Sequence, residues 1–217
     1  MKPRALLQGL SGAPPLVFVT ACLFFGCALM TGDGMVQSAQ LFAPGCIDGP
    51  FLLEPTHFAS KPAENTQLIT LQRGRRPQDL ADGVLVAVYD VAAVREQLGQ
   101  PVPVALPAGV TPPGHAMRTV TEPPPLALTL FLNDSCHEQD VALHAISGTM
   151  TFSALFDGKS GHHTKQERLI QARFSVQVAD PRLLPADGSA AEPGLVSELE
   201  GDFSFYYRAG QPAQPFP

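Results

Sequence analysis

The amino-acid sequence predicts an all-β fold: a single antiparallel β-sandwich or flattened barrel of roughly seven to nine strands, with one short helix near residues 91–98 and an N-terminal apolar leader helix. Within residues 148–208, apolar and polar side chains alternate along the chain. This alternation is typical of strands with one buried and one solvated face. The 217 residues also include 22 prolines and only 16% charged residues, which favours strands joined by irregular connections over a helical bundle.

The alternation defines three C-terminal strands, which we predict at residues 148–155, 169–178 and 196–208. In the second of these, Ile170 and Phe174 fall on one side of the strand, and Gln171 and Arg173 fall on the other. A turn sequence rich in glycine at residues 157–161 separates the first two strands. We therefore expect those two strands to pair as a hairpin.

Continuous apolar runs at residues 84–89 and 126–132 predict central strands that are buried on both faces. Shorter strands are predicted at residues 51–53, 67–72 and 141–146, whereas residues 57–66 are expected to form a loop. After the first apolar run, Asp90 is suited to cap a short helix whose apolar face holds Val91, Val94 and Leu98, with Gly99 just beyond its end.

Residues 101–125 contain eight prolines. Since proline cannot donate a hydrogen bond to a neighbouring strand, we predict an extended connector with at most edge strands at 102–106 and 118–121. The alternative is a proline-rich ligand for the aromatic groove of a partner.

The N-terminus predicts an exported chain. Lys2 and Arg4 come before residues 16–30, which contain no charge, and this order is typical of an export signal. The apolar run is shorter than the ~20 residues of a spanning helix, although an uncleaved anchor stays open. The predicted organisation is a signal peptide or membrane-anchor leader at 1–30, a polar spacer at 31–40, a β-sandwich domain at 41–208 and a proline-rich tail at 209–217.

Two cysteines of the leader lie in short motifs, one ending at Cys22 after Val19-Thr-Ala and the other at Cys27 after Phe24-Phe-Gly. Both tetrapeptides resemble the lipobox of bacterial lipoproteins, in which a cysteine is diacylated. The resemblance implies lipid attachment at Cys22 or Cys27. A plain secretory signal that is cleaved near Ala39 is the alternative, and in that case both cysteines are small apolar residues of the leader.

Only Cys46 and Cys136 lie outside the leader. Two cysteines of an exported chain enter an oxidising compartment, where they usually form a disulfide. The competing interpretation is a reactive thiol at Cys136 beside His137, but neighbouring residues of a strand point to opposite faces.

A dense group of polar residues follows the second apolar run. His137, Glu138, Asp140 and His144 are candidate metal ligands, because imidazole and carboxylate groups bind zinc and calcium. Their spacing matches neither an EF-hand loop nor a His-Glu-x-x-His motif, so we assign no metal ion and no cofactor.

The sequence indicates no catalytic residues. It lacks a Gly-x-Ser-x-Gly elbow, and the acids at residues 198–202 are expected to form a solvated strand face. The net charge of −6 argues against nucleic acid as a partner.

We therefore expect an exported, non-catalytic β-domain, lipoprotein-like or periplasmic, that acts as a structural or binding module of the cell envelope. Its expected partners are a protein or small-molecule ligand of unknown identity, and the membrane, through the leader or a lipid. The alternative is a metal-binding protein or metal-dependent enzyme that uses residues 134–144.

Overall fold

The computed structural model describes residues 32–74, 80–107, 110, 124–159, 161, 163–185 and 192–210. Within them, ten strands and one α-helix follow in the order β1 (Gly32–Ala43), β2 (Ile47–Leu53), β3 (His57–Ala63), β4 (Thr66–Gln72), β5 (Gly83–Val88), α1 (Val91–Glu96), β6 (Pro101–Pro103), β7 (Leu126–Phe131), β8 (Ala142–Ala154), β9 (Leu169–Ala179) and β10 (Ser197–Tyr206). Short 3₁₀ turns lie at Gln166–Arg168, Pro181–Leu183 and Pro193–Leu195.

The strands form one antiparallel sheet rather than two packed sheets. Nine of them follow in the order β2-β1-β10-β9-β8-β7-β5-β4-β3. The short β6 pairs with Thr149–Thr151 of β8, along the edge that β7 leaves free. The first strand of the chain therefore pairs with the last, from Gly32 opposite Phe205 to Gln37 opposite Glu200.

The sheet curls into a half-barrel. Its two outermost strands, β2 and β3, are joined by residues 54–56 only, so the connection brings the two edges of the sheet together at that point. Phe58 of β3 reaches across to β10, where its ring centroid lies 5.6 Å from that of Phe205. A Cβ atom on Gly32 would lie only 2.5 Å from the Phe58 ring, so glycine is required for this close approach.

The core lies inside the curl, where apolar side chains alternate inward along each strand. Val84, Val86 and Val88 of β5 are buried, and every residue of β7 is buried. The largest buried side chains are phenylalanines, at positions 58, 152, 156, 203 and 205. The sheet thus has a phenylalanine-rich interior and, along β8, β9, β10 and β1, a polar outer face.

The predicted all-β antiparallel class is confirmed, as is the single short helix. The Asp90 side chain accepts a hydrogen bond from the backbone N–H of Ala93 at 2.9 Å and so caps α1. This hydrogen bond, and another from Asn65, hold the pKa of Asp90 below its ordinary value. Val91 and Val94 are buried as predicted, but Leu98 lies beyond the helix end and is partly exposed.

The hairpin of β8 and β9 also follows the prediction, from His144 opposite Ala179 to Ala154 opposite Gln171. The strands predicted at 141–146 and 148–155 are one continuous strand, β8. Its register against β9 shifts between Ala145 and Ser147, and Gly148 follows with a φ of 117°. A glycine in this conformation allows the strand to bend without ending.

Two strands lie where the sequence predicts none. β1 begins at Gly32, so residues 32–40 are strand and not the predicted spacer. β3 occupies most of residues 57–66, which were expected to form a loop. Pro62 does not interrupt β3, because an edge strand can leave one backbone position without a ladder hydrogen bond. The edge strand predicted at 118–121 lies outside the described residues.

Replacing Gly201 by alanine tests whether the phenylalanine-rich interior needs glycine. An added Cβ atom would lie 2.6 Å from the Phe174 ring and 2.7 Å from the Met35 carbonyl oxygen. We expect Gly201→Ala to lower the free energy of unfolding by about 1–3 kcal/mol, measured by urea denaturation. Gly49→Ala is the matched control, since no heavy atom lies within 4 Å of its added Cβ. Equal losses in both variants would contradict this account of the packing.

Candidate functional site

Cys46 and Cys136 form the disulfide that the sequence predicts, with their Cα atoms 5.6 Å apart. It joins the turn between β1 and β2 to the loop after β7, across 90 residues of sequence. The backbone N–H of Cys136 also bonds the carbonyl of Leu132 at 2.8 Å, which fixes the start of this loop. The leader cysteines Cys22 and Cys27 lie outside the described residues.

Beside the disulfide lies a fully buried carboxylate, that of Asp82, just before β5. One of its oxygens accepts hydrogen bonds from the backbone N–H groups of Asp134 and Ser135, both at 2.9 Å. Its other oxygen accepts from the Ser135 hydroxyl and from the Arg73 guanidinium, which also forms an ion pair with it. We call Arg73, Asp82, Ser135 and the Cys46–Cys136 disulfide the clamp.

The hydrogen bonds and the ion pair of the clamp satisfy the buried charge of Asp82. Each oxygen of Asp82 already accepts two hydrogen bonds, so the carboxylate has no free position for a substrate proton. Burying a charge is costly unless it is paired and hydrogen-bonded, and this one is both. The same ion pair holds the Arg73 guanidinium beside the start of β5.

The four candidate metal ligands are not assembled into a site. His137 and Glu138 lie on the loop after β7 with side chains 76% and 86% exposed, and their nearest charged atoms are 4.0 Å apart. Asp140 is exposed on the same loop, whereas His144 lies in β8. In the part of the chain that the structure describes, no three His, Cys, Asp or Glu side chains are arranged to hold a metal ion.

His144 belongs instead to a half-buried polar group on the outer face of the sheet. Its Nδ1 atom lies 2.9 Å from the hydroxyl oxygen of Thr129 on the neighbouring strand β7. Burial lowers the pKa of His144, and the nearby charge of Asp180 opposes this shift without cancelling it. His144 is therefore neutral near pH 7.

Asp180, at the end of β9, is buried, which by itself disfavours its charge. Hydrogen bonds from the side chain and backbone of Arg182, together with the guanidinium charge, outweigh burial and hold the pKa of Asp180 below its ordinary value. Both carboxylate oxygens accept from Arg182, at 2.6 to 3.0 Å.

A hydroxyl, an imidazole and a carboxylate near one another invite comparison with a nucleophilic triad. The resemblance is superficial, because Thr129 is only 5% exposed and the Asp180 carboxylate is engaged by Arg182. No sequence pattern indicates the pairing of Thr129 with His144 or of Asp82 with Ser135, because these partners are 15 and 53 residues apart along the chain.

Exposed apolar side chains are few among the described residues. Met35 and Leu52 lie on the outer face of β1 and β2, where Leu52 is opposite Gln37, two residues after Met35. The described residues include no helix that is long and apolar enough to cross a membrane.

Comparisons with protein-family models, with curated proteins and with solved structures find no match for this chain.

Replacing Asp82 by asparagine tests the clamp. The amide keeps the shape of the side chain but cannot accept from all four donors, so buried donors lose their partners. We expect Asp82→Asn to lower the free energy of unfolding by about 1–3 kcal/mol in urea denaturation. Asp134→Asn is the control, since the Asp134 side chain is 69% exposed and 4.0 Å from Arg73. The clamp account fails if both variants unfold at the wild-type urea concentration.

The lowered pKa of His144 predicts acid destabilisation. The unfolded chain takes up this proton near pH 6.5, whereas the folded chain takes it up only at lower pH, so acid favours unfolding. This part of the stability is complete above pH 6.5 and is lost as the pH falls below it. We expect urea midpoints measured between about pH 7 and about pH 5 to fall less steeply in His144→Asn than in the wild type. His137→Asn should keep the wild-type slope, and identical slopes in all three proteins would contradict the prediction.

Proposed function

We propose that this chain is an exported, non-catalytic β-domain that serves as a structural or binding module at the cell envelope. The half-barrel serves as a flattened barrel. Its outermost strands are not joined by hydrogen bonds, and the packing of Phe58 on Gly32 and Phe205 closes the gap between them. Attachment to the membrane through the leader or through a lipid on Cys22 or Cys27 belongs to the same proposal.

The Cys46–Cys136 disulfide is the observation that carries the proposal. The disulfide is consistent with the export signal that the leader sequence predicts, because disulfides persist in oxidising compartments outside the cytosol. In the chain-entropy model, closing a loop of this length stabilises the fold by roughly 4 kcal/mol. A domain that depends on such a bond is suited to a compartment where the bond stays oxidised.

The non-catalytic part of the proposal is supported by how the polar groups are used. The buried carboxylates of Asp82 and Asp180 are both engaged by arginine, and His144 bonds Thr129. We therefore expect any binding to take place on the surface of the sheet. There the long strands β8, β9, β10 and β1 present a broad polar face, with Met35 and Leu52 near one edge.

Cell fractionation followed by alkylation tests the proposal. We expect the protein in the envelope fraction, with Cys46 and Cys136 alkylated only after reduction, as measured by mass spectrometry of their peptides. Alkylation is carried out in denaturant, because Cys136 is only 4% exposed in the folded protein. Cys46→Ser is the matched variant, since it should leave Cys136 open to alkylation without reduction. Protein that stays in the cytosol with both thiols freely alkylated would overturn the proposal.

A further inference from the structure

We infer that the mature chain begins no later than Gly32, and that the domain is held with the N-terminal end of β1 against the phospholipid headgroups of the membrane. This inference rests on the proposed export and membrane attachment. It concerns two points that the leader alone leaves open: where processing takes place, and which end of the domain faces the membrane.

The pairing of β1 excludes processing near Ala39. All paired positions of β1 with β10 lie between Gly32 and Gln37. A cut at Ala39 would remove every one of them, together with the pairs that join Val36, Gln37 and Ser38 to β2. Because β1 lies between β2 and β10, the cut would separate β2 from the rest of the sheet.

The packing of β1 leads to the same conclusion. Val36 is fully buried, and the backbone at Gly32 and Gly34 covers the side chains of Phe58, Phe203 and Phe205. Removing these residues would expose three core phenylalanines to water, each of which buries a large apolar area. The cut must therefore lie upstream of Gly32, as it does at Cys22 or Cys27, or the leader stays attached.

Because β1 begins at Gly32, only a short segment connects the proposed lipid-attachment site to the folded domain. Four residues separate Cys27 from Gly32 in the sequence. Since an extended chain spans at most about 3.6 Å per residue, a lipid on Cys27 would hold Gly32 within about 18 Å of the attachment point, and a lipid on Cys22 would hold it within about 36 Å. The opposite end of β1, which leads to Cys46, lies on the order of 35 Å further away at the rise of a β-strand.

The side chains around the N-terminal end of β1 suit a headgroup layer. Phe205 pairs with Gly32, and next to it Tyr206 pairs with Leu169 and lies under the Lys165 ammonium group, which is 4.6 Å from the ring centroid. Arg168 bonds the backbone N–H of Tyr207 through its carbonyl at 2.7 Å, and Arg208 follows as an exposed residue.

The exposed Lys165 and Arg208 form no ion pair with any carboxylate of the described residues, whereas Arg168 is half-buried and its Nε atom is buried without a partner. The nearby Glu167 accepts hydrogen bonds from Thr164, and Asp157 lies 4.0 Å from His163. Basic side chains with a tyrosine are typical of surfaces that meet phospholipid headgroups. The exposed basic residues of this end, Lys165 and Arg208, are matched in number by the exposed acids Asp33 and Glu167, so this end is less acidic than the chain as a whole.

The first test is the N-terminus of the mature protein. Intact mass and N-terminal peptide mapping of protein from producing cells should place the first residue at or before Gly32. A disulfide-bonded, exported protein that begins beyond Gly32 would overturn this inference alone. Free thiols in a cytosolic protein would instead overturn the proposed function.

Ala39→Lys sharpens this test. Signal peptidase needs small residues before its cut, so lysine blocks cleavage at this position. Ala39 is exposed at the irregularity of β1, so the fold accommodates the longer side chain. We expect the mature N-terminus and the amount exported to equal those of the wild type. A variant that accumulates with its leader uncut, while the wild type is cut, would overturn the inference.

The orientation is tested by NMR on the mature protein bound to phosphatidylcholine–phosphatidylglycerol vesicles that carry a gadolinium headgroup lipid. We expect stronger broadening of the amide signals of residues 32–34 and 206–208 than of Cys46 and Ser135. Stronger broadening at the disulfide end, or equal broadening at both ends, would overturn the orientation.

Discussion

The fold depends on a buried carboxylate, that of Asp82, whose charge must be paired and hydrogen-bonded. Asp82 is completely buried, and its charge is tolerable only because four donors from two other segments converge on it. Those donors hold the residue after β4 and the loop after β7 to the start of β5. The disulfide adds the turn between β1 and β2 to the same loop. The sheet is open between its outermost strands, β2 and β3. At this end of the sheet, the disulfide holds the β1–β2 side of the opening, and the hydrogen bonds of Asp82 hold the β4–β5 side.

The phenylalanine side chains fix the opening further along. No strand pairing joins β2 to β3 in the described residues, so the curl is held by side chains that cross the gap. Phe58 from one edge packs on Gly32 and Phe205 near the other. The phenylalanine rings of the interior lie against the backbone of neighbouring strands, and a Cβ atom at those positions would clash with them. This explains the inward-facing glycines Gly32 and Gly34 of β1 and Gly201 of β10. The clamp and this packing are complementary, since each closes a part of the sheet that the other does not reach.

The sequence could predict what depends on local pattern. Alternation identified β9 and β10, apolar runs identified β5 and β7, and the disulfide followed from a single cysteine pair outside the leader. It could not predict β1 or β3. The glycines of β1 are typical of a spacer in the sequence, and only the fold shows that they face Phe58 and Phe203. Pro62 is acceptable in β3 because β3 is an edge strand. The polar residues show the same limit: the exposed residues 137–140 are close together in sequence without forming a cluster of metal ligands, whereas Asp82 gains its partners through the fold.

The strand order also links folding to the proposed export. β1 pairs with β10, so the sheet cannot be completed until the last strand is available, and the disulfide joins cysteines 90 residues apart. Contacts between distant parts of a chain form slowly, because the entropy of closing the loop is lost before the contact is gained. The sheet therefore cannot be complete until synthesis ends, and under the proposed export the chain would cross the membrane before β1 has paired with β10. The late pairing of β1 and the oxidation of Cys46 and Cys136 would then both take place on the far side of the membrane.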